Sequence, residues 1–356
     1  MPSRRSSRRD FLRGKAARDA VNDWLDAVPP TLEVAPVEAA GRYLISLKRL
    51  AMACDFEILL NAGQYEDGPM LAVAALDLVE ELESQLTVYR ETSEVLEINR
   101  AAAEHPVAVE PRLLALLQQA VQLHRETHGA YDITAGPLSK AWGFFRRQGA
   151  VPDEAALGEA LASVGSDKLV LDAERGTVAF TQPGVELNLG AIGKGYALDR
   201  CAELLLHGGV DTFLLHGGQS SILARGARAT GRPDDRGWRV SIGDPLRPGK
   251  TLLEFPVVDR AVGTSGTQFQ FFRQAGRRYG HIIDPRTGWP AEGVLSSTVI
   301  APTAALADAL STAFFILGPA DAQAYCASHA EVSALLVCPS SKPGESALHR
   351  FNWESV

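Results

Sequence analysis

The sequence predicts an α+β fold, and three observations lead there. Strand-like segments arrive in consecutive runs, helical stretches separate those runs, and there is little regular strand–helix–strand alternation. With 356 residues, 46% of them hydrophobic, the chain can bury one large core or two smaller ones. No internal repeat of fixed period is visible.

Residues 1–36, closing on Pro29, Pro30 and Pro36, read as an extension outside a domain that spans 37–356. The domain proper begins near Gly41. Residues 52–60, MACDFEILL, alternate as a strand, and Asn61-Ala62-Gly63 turns the chain. Helical periodicity covers 69–88, and a second helix fits 111–127, with apolar residues at 113, 114, 116, 117, 121 and 123. The ITAGP turn and the aromatic WGFF segment lead to an acidic helix over 153–164. A strand pair follows, KLVLD and TVAFT. Next comes a loop-to-helix unit, LGAIGKGYALDRCAELLLHGG, and then strands around TFLLHGG, SILARG, WRVSIGD and LLEFPVVD. The last strand-like segment is SSTVIAP and the last helix ALADALSTAFFILG, which stops at Gly318-Pro319.

Composition excludes several function classes. Forty-three acidic against 35 basic residues give a formal charge of −8, which argues against non-specific binding to nucleic acid or an anionic membrane. Cys54, Cys201, Cys326 and Cys338 show no CxxC spacing and read as buried small apolar residues rather than a zinc knuckle or disulfide scaffold. No apolar run approaches the length of a membrane span. Ser7-Arg8-Arg9-Asp10-Phe11-Leu12 looks like a twin-arginine export motif, although Arg13, Lys15, Arg18 and Asp19 stand where an apolar region should follow. A basic N-terminal arm is the alternative.

The chemistry gathers in two stretches. Asp308 and Thr312, four apart in a helix, share one face as a carboxylate and a hydroxyl, hard oxygen ligands that suit Mg²⁺. His281 and Asp284 lie just upstream on a Pro/Gly-punctuated loop and are candidates for acid/base work. The turn from Asn188 to Tyr196 feeds a helix N-terminus, where backbone N–H groups and Lys194 could seat a pyrophosphate. It departs from a Walker A loop at Asn188 and Gly195, and a plain turn is the competing reading. His124 and His128, also four apart, read as a solvated helix terminus rather than a zinc pair. Tyr89, Trp142 and Phe144 read singly as core aromatics, although a flat ligand ring would need such a platform.

Taken in order, LTVYRETSEVLEIN, YDITAGPLSKAWGF, NLGAIGKGYALD, GRPDDRGWRVSIGDP, AVGTSGTQFQFF, RRYGHIIDPRTGWP and ALADALSTAFFILG resemble the motifs of the ApbE-type FAD:protein FMN transferases. The resemblance runs over nearly all of the chain from Leu44 onward. It implies mixed, mostly antiparallel sheets flanked by helices, with the active site in a cleft between two subdomains. It implies an enzyme that uses Mg²⁺ to split FAD, attaches FMN to a threonine of an acceptor flavoprotein and releases AMP. Implied FAD contacts are Met52, Tyr89, Trp142, Gly143, Phe144, Asn188, Lys194 and Ile282. Asp308, Thr312 and the carbonyl of Ala191 would ligate the metal, with His281 and Asp284 at the reacting phosphoryl group. The implied acceptor is a membrane-associated redox subunit, met transiently at the membrane surface, with the enzyme in the periplasm or envelope; a cytoplasmic location is the alternative. Two positions depart from the family pattern: Met52-Ala53-Cys54 stands for MGT, and Asn188 for Asp. FAD hydrolysis to FMN and AMP, or FAD binding without catalysis, stay open as alternatives.

Overall fold

Alternating apolar residues in LISLKRLA and CDFEILLN pair as an antiparallel hairpin, β1 (Leu44–Ala51) and β2 (Cys54–Asn61). The computed structural model that shows this describes residues 43–146, 148–229, 236–266, 270–342 and 344–353. The proposed extension 1–36 and its twin-arginine-like segment lie outside the described residues. Met52 and Ala53 form the two-residue turn of the hairpin, both with positive φ (49° and 60°), as a primed turn requires. The strand expected from 52 thus begins at Cys54.

Helix α1 (Gly68–Leu86) follows, then α2 (Glu94–Ala101), capped by Ser93, and the short β3 (Val107–Ala108). Glu110 caps α3 (Pro111–Glu126) by accepting the N–H groups of Arg112 and Leu113, each at 2.9 Å. Next are α4 (Gly136–Ala141), α5 (Glu154–Ala162), β4 (Leu169–Asp172), β5 (Thr177–Phe180), α6 (Gly193–His207), β6 (Phe213–Gly217) and β7 (Ser221–Arg225). The chain continues through β8 (Trp238–Gly243), β9 (Thr251–Val257), β10 (Ala261–Gly266), β11 (Phe271–Gln274), β12 (Arg277–Gly280) and β13 (Ser296–Ala301). It closes with α7 (Ala304–Leu317), α8 (Pro319–Ser328), β14 (Ser333–Pro339) and β15 (Ser346–Phe351). SSTVIAP and the helix after it are therefore not the last elements.

Eight strands form the main sheet in the order β1-β2-β6-β7-β10-β13-β14-β15, and every described strand pairing is antiparallel. The α+β class holds, with a sheet more uniformly antiparallel than the expected mixed one. Strand alternation sends Phe56, Ile58, Phe213, Leu215, Leu223 and Val299 into the cluster that includes the buried faces of α1, α6 and α7. On the other face, Trp238, Val240, Ile242, Phe255 and Val257 of the β8–β9 hairpin cover Leu214, Ala224, Val262, Ile300 and Leu335. A third cluster holds Leu138, Trp142, Phe144, Leu157 and Ile283. Among the described residues no helix is long and apolar enough to cross a membrane.

Candidate active site

Helix α7 is apolar nearly all round, as a fully buried helix should be, and Asp308 is its one carboxylate. Asp308 Oδ2 accepts the backbone N–H of Gly195 at 2.8 Å and the hydroxyl of Ser221 at 2.9 Å. Among the described residues no hydrogen bond reaches Oδ1. Burial pushes this carboxyl up to about 6, while Lys194, Ser221 and the Gly195 N–H pull the other way. A buried carboxylate with one oxygen left over calls for a cation. One turn on, Thr312 Oγ1 lies 3.0 Å from Ser265 Oγ, which also meets Ser311 Oγ at 2.8 Å. Ser265 of β10 therefore holds the second expected ligand in place from the sheet.

The glycines of the 188–196 turn have a different job from the expected one. Gly193 N–H donates to Leu189 O at 2.7 Å and Gly195 N–H goes to Asp308, so neither is free for an anion. A Cβ on Gly195 would sit 2.1 Å from Ala304 O, which shows that glycine there lets α6 and α7 touch. Lys194 Nζ donates to Ser220 Oγ at 2.8 Å. Asn188 fixes the loop that carries Ala191: its Oδ1 accepts the N–H of Gly190 at 2.9 Å, and its own N–H donates to Ile133 O at 2.7 Å.

His281 Nδ1 lies 3.0 Å from Gln270 O, and a carbonyl can only accept. The proton therefore sits on Nδ1, and Nε2 presents a lone pair. Burial lowers the imidazole below its ordinary value and the charge of Lys194 acts in the same direction, against the bond to Gln270. Asp284 is placed otherwise. Its carboxylate takes both Arg286 Nε and Nη2 at 2.8 Å and the Arg286 N–H at 2.9 Å. It orders the 284–288 turn and is not poised as a base.

The aromatic residues divide into a buried wall and a stacked pair of which Tyr89 is exposed and Phe145 half-buried. Trp142 is fully buried and donates from Nε1 to Gly288 O at 2.8 Å, and Phe144 is nearly as enclosed. Neither presents a free ring face to solvent. Gly143 allows the tight turn between them: with φ of 70°, its Cβ would lie 2.4 Å from Gln148 O. Ile282 is likewise buried in the main core, and Met52 packs against that core from the β1–β2 turn. Tyr89, 67% exposed, stacks on Phe145 with centroids 4.6 Å apart. Phe145, passed over in the sequence, also lines a recess of about 220 Å³ together with Asn188, Lys140 and Asn99. Its only sequence signal is the Phe doublet. His124 is not simply solvated; it meets the buried Asp132 at 3.0 Å.

Residues 52–336 match the model of the ApbE family. The chain belongs to the ApbE family. An ApbE relative from Klebsiella pneumoniae, named FAD:protein FMN transferase, is 32% identical over 79% of this chain and 85% of its own. Another of the same name from Vibrio cholerae is 30% identical over 84% and 88%. Among solved structures, the ApbE protein of Thermotoga maritima superposes with a TM-score of 0.78 at 28% identity, covering 88% of this chain and 98% of that one. The flavin transferase ApbE from Vibrio cholerae gives 0.76 at 26%, covering 88% and 99%. The charge of Lys194 acts on both Asp308 and His281, which places the 188–196 turn, α7 and the start of the 281–288 loop near one another. Cys54 lies close by: it is half-buried, burial raises its thiol, and the charges of Lys194 and Asp308 act on it in opposite directions.

Proposed function

We propose that this ApbE-family protein is an Mg²⁺-dependent FAD:protein FMN transferase that joins FMN, through a phosphoester, to a threonine of an acceptor flavoprotein and releases AMP. The names of its relatives support flavin transfer. The observation that carries the reading is the buried Asp308 carboxylate, tied at one oxygen to the first turn of α6 and open at the other.

The donors fit a hard cation. Asp308, the Thr312 hydroxyl and the Ala191 carbonyl are all oxygens, and among the described residues no three His, Cys, Asp or Glu side chains gather to form a softer site. Bound there, the ion would neutralise charge on the phosphates. Lys194 binds the same phosphates through a full charge beside Asp308. His281 takes the threonine proton at Nε2 as the hydroxyl oxygen attacks the FMN phosphorus. The P–O bond to the AMP half breaks and AMP leaves with the bridging oxygen. Tyr89, stacked on the half-buried Phe145, offers an exposed aromatic face for the flavin.

Nucleotide analysis of FAD incubated with the purified protein and a threonine-bearing acceptor tests this. AMP should appear with Mg²⁺ and not with a chelator; FAD that stays intact in both sinks the reading. The Ser7–Leu12 motif supports delivery to the cell envelope, where the acceptor would be a membrane-associated redox subunit. An N-terminal reporter fusion retained in the cytoplasm would reverse that.

A further inference from the structure

Thr312, Ser265 and Ser311 bring their hydroxyls into contact, and their protons have only one arrangement that makes every bond. A hydroxyl carries one proton and two lone pairs. Ser311 Oγ lies 2.8 Å from the main-chain oxygen of Asp308, which can only accept, so the Ser311 proton is committed there. Ser311 therefore accepts across its 2.8 Å contact with Ser265, and the Ser265 proton is committed in turn. The 3.0 Å contact between Ser265 and Thr312 then forms only with Thr312 as the donor. Any other arrangement forfeits one of these bonds, where Ser311 is buried and Ser265 and Thr312 are half-buried. Thr312 is left with its proton turned toward the sheet and its lone pairs uncommitted among the described residues. Ser297 of β13 supplies a contrast. It stands directly across from Ser265 on the same face of the sheet, fully buried, and its hydroxyl has no partner among the described residues.

We propose that Ser311 and Ser265 are positioning residues that preset the Thr312 hydroxyl as a pure acceptor and thereby raise the affinity for the divalent cation. The inference rests on the Mg²⁺ site of the transferase reading above. A cation attracts oxygen lone pairs and repels a hydroxyl proton, so a ligand already turned needs no reorganisation when the ion arrives. Ser311 makes no hydrogen bond to Thr312, and its influence is relayed by Ser265. Without the Ser311 hydroxyl, the Ser265 proton is free to turn on Thr312, whose own proton is then displaced toward the ion.

Mg²⁺ titrations of the full-length protein with FAD, read as the rise in Tm, test this. Ser311→Ala should need roughly fivefold more Mg²⁺ for the same rise, the scale of one hydrogen bond. Ser265→Ala should need at least as much, whereas Ser265→Thr, which restores a hydroxyl on the strand, should stay near the wild type. Ser297→Ala, which removes a buried hydroxyl outside the chain of bonds, should titrate as the wild type does. Release of AMP from FAD should show the same split: in Ser311→Ala the half-saturating Mg²⁺ concentration rises, and turnover at saturating Mg²⁺ returns to the wild-type level. The Tm without Mg²⁺ reports whether each variant is folded. A wild-type titration in Ser311→Ala overturns the proposal, as does an equal loss in Ser297→Ala, which would trace the effect to any missing hydroxyl. Should Ser311→Ala not fold, equal Mg²⁺ affinity in Ser265→Ala and Ser265→Thr overturns it. A wild type whose Tm ignores Mg²⁺ would instead remove the cation from the transferase reading, a distinct result that takes this inference with it.

Discussion

The backbone N–H of Gly195 donates to Asp308 Oδ2 across 2.8 Å, so the first turn of α6 and the middle of α7 are positioned as one unit. The spacing that permits this bond leaves no room for a side chain, since a Cβ on Gly195 would press on Ala304 O. Gly195→Ala should destabilise the protein by roughly 1–3 kcal/mol, the usual penalty of overpacking, in urea unfolding. It should also weaken the thermal stabilisation by Mg²⁺. An unchanged unfolding midpoint would show that the two helices are not in such close contact.

Asp308→Asn keeps an acceptor for Gly195 and Ser221 but removes the charge. The variant should fold, show no rise in Tm with Mg²⁺ where the wild type shows one, and lose roughly 10²–10³-fold in turnover. A full Mg²⁺ response in the variant would exclude Asp308 as a ligand.

The pH dependence follows from His281. Its native pKa is depressed, so below the ordinary imidazole value the unfolded chain binds a proton that the native residue refuses. Its contribution to stability is therefore full above about 6.5 and declines as pH falls toward the lower native value. As a base it is already unprotonated at neutrality. The acid limb of kcat/KM should lie below about 6.5 and move upward in Lys194→Met, where the neighbouring positive charge is gone. A limb unmoved by that substitution would remove His281 as its source.

The hairpin turn gives a prediction about stability alone. Ala53 holds a φ of 60°, a conformation that suits glycine better than any residue bearing a Cβ. Ala53→Gly should stabilise the protein by about 0.5–1 kcal/mol, visible as a small rise in Tm. A lower Tm would mean that the turn relaxes away from this geometry.

How far the sequence could be read depends on what kind of signal each element carried. The helix bearing Asp308 and Thr312 is legible because an Ala/Leu-rich run after Pro302 ends at a Gly318-Pro319 stop. The first strand was not, since Lys48 and Arg49 break the apolar run of LISLKRLA and nothing local announces Met52-Ala53 as a turn. The strands β14 and β15 escaped notice although SALLVCP is wholly apolar in its centre. At the site, the sequence singles out Asp308, Lys194 and His281 by residue type and spacing, and the structure adds their burial and partners. Asp284 pairs with Arg286, Trp142 lies in the core, and Gly195 serves helix packing. Periodicity reports which face is apolar; it carries no record of which donor a carboxylate will meet across 113 residues of chain.

The departure at Asn188 has a structural answer. Its Oδ1 already closes the turn onto Gly190, a bond that either Asn or Asp can make. Asn188→Asp should therefore change FAD turnover by less than about tenfold, under one such charge-assisted increment. A much larger gain would mean that the natural residue has weakened the enzyme.

Intact mass of an acceptor is the most direct measurement of all. A threonine-bearing domain of a flavoprotein modified by one of the named relatives, incubated with this protein, FAD and Mg²⁺, should gain the mass of one FMN less a water while an equal amount of AMP appears. FAD that remains bound and uncleaved, with the acceptor unmodified, would contradict the account.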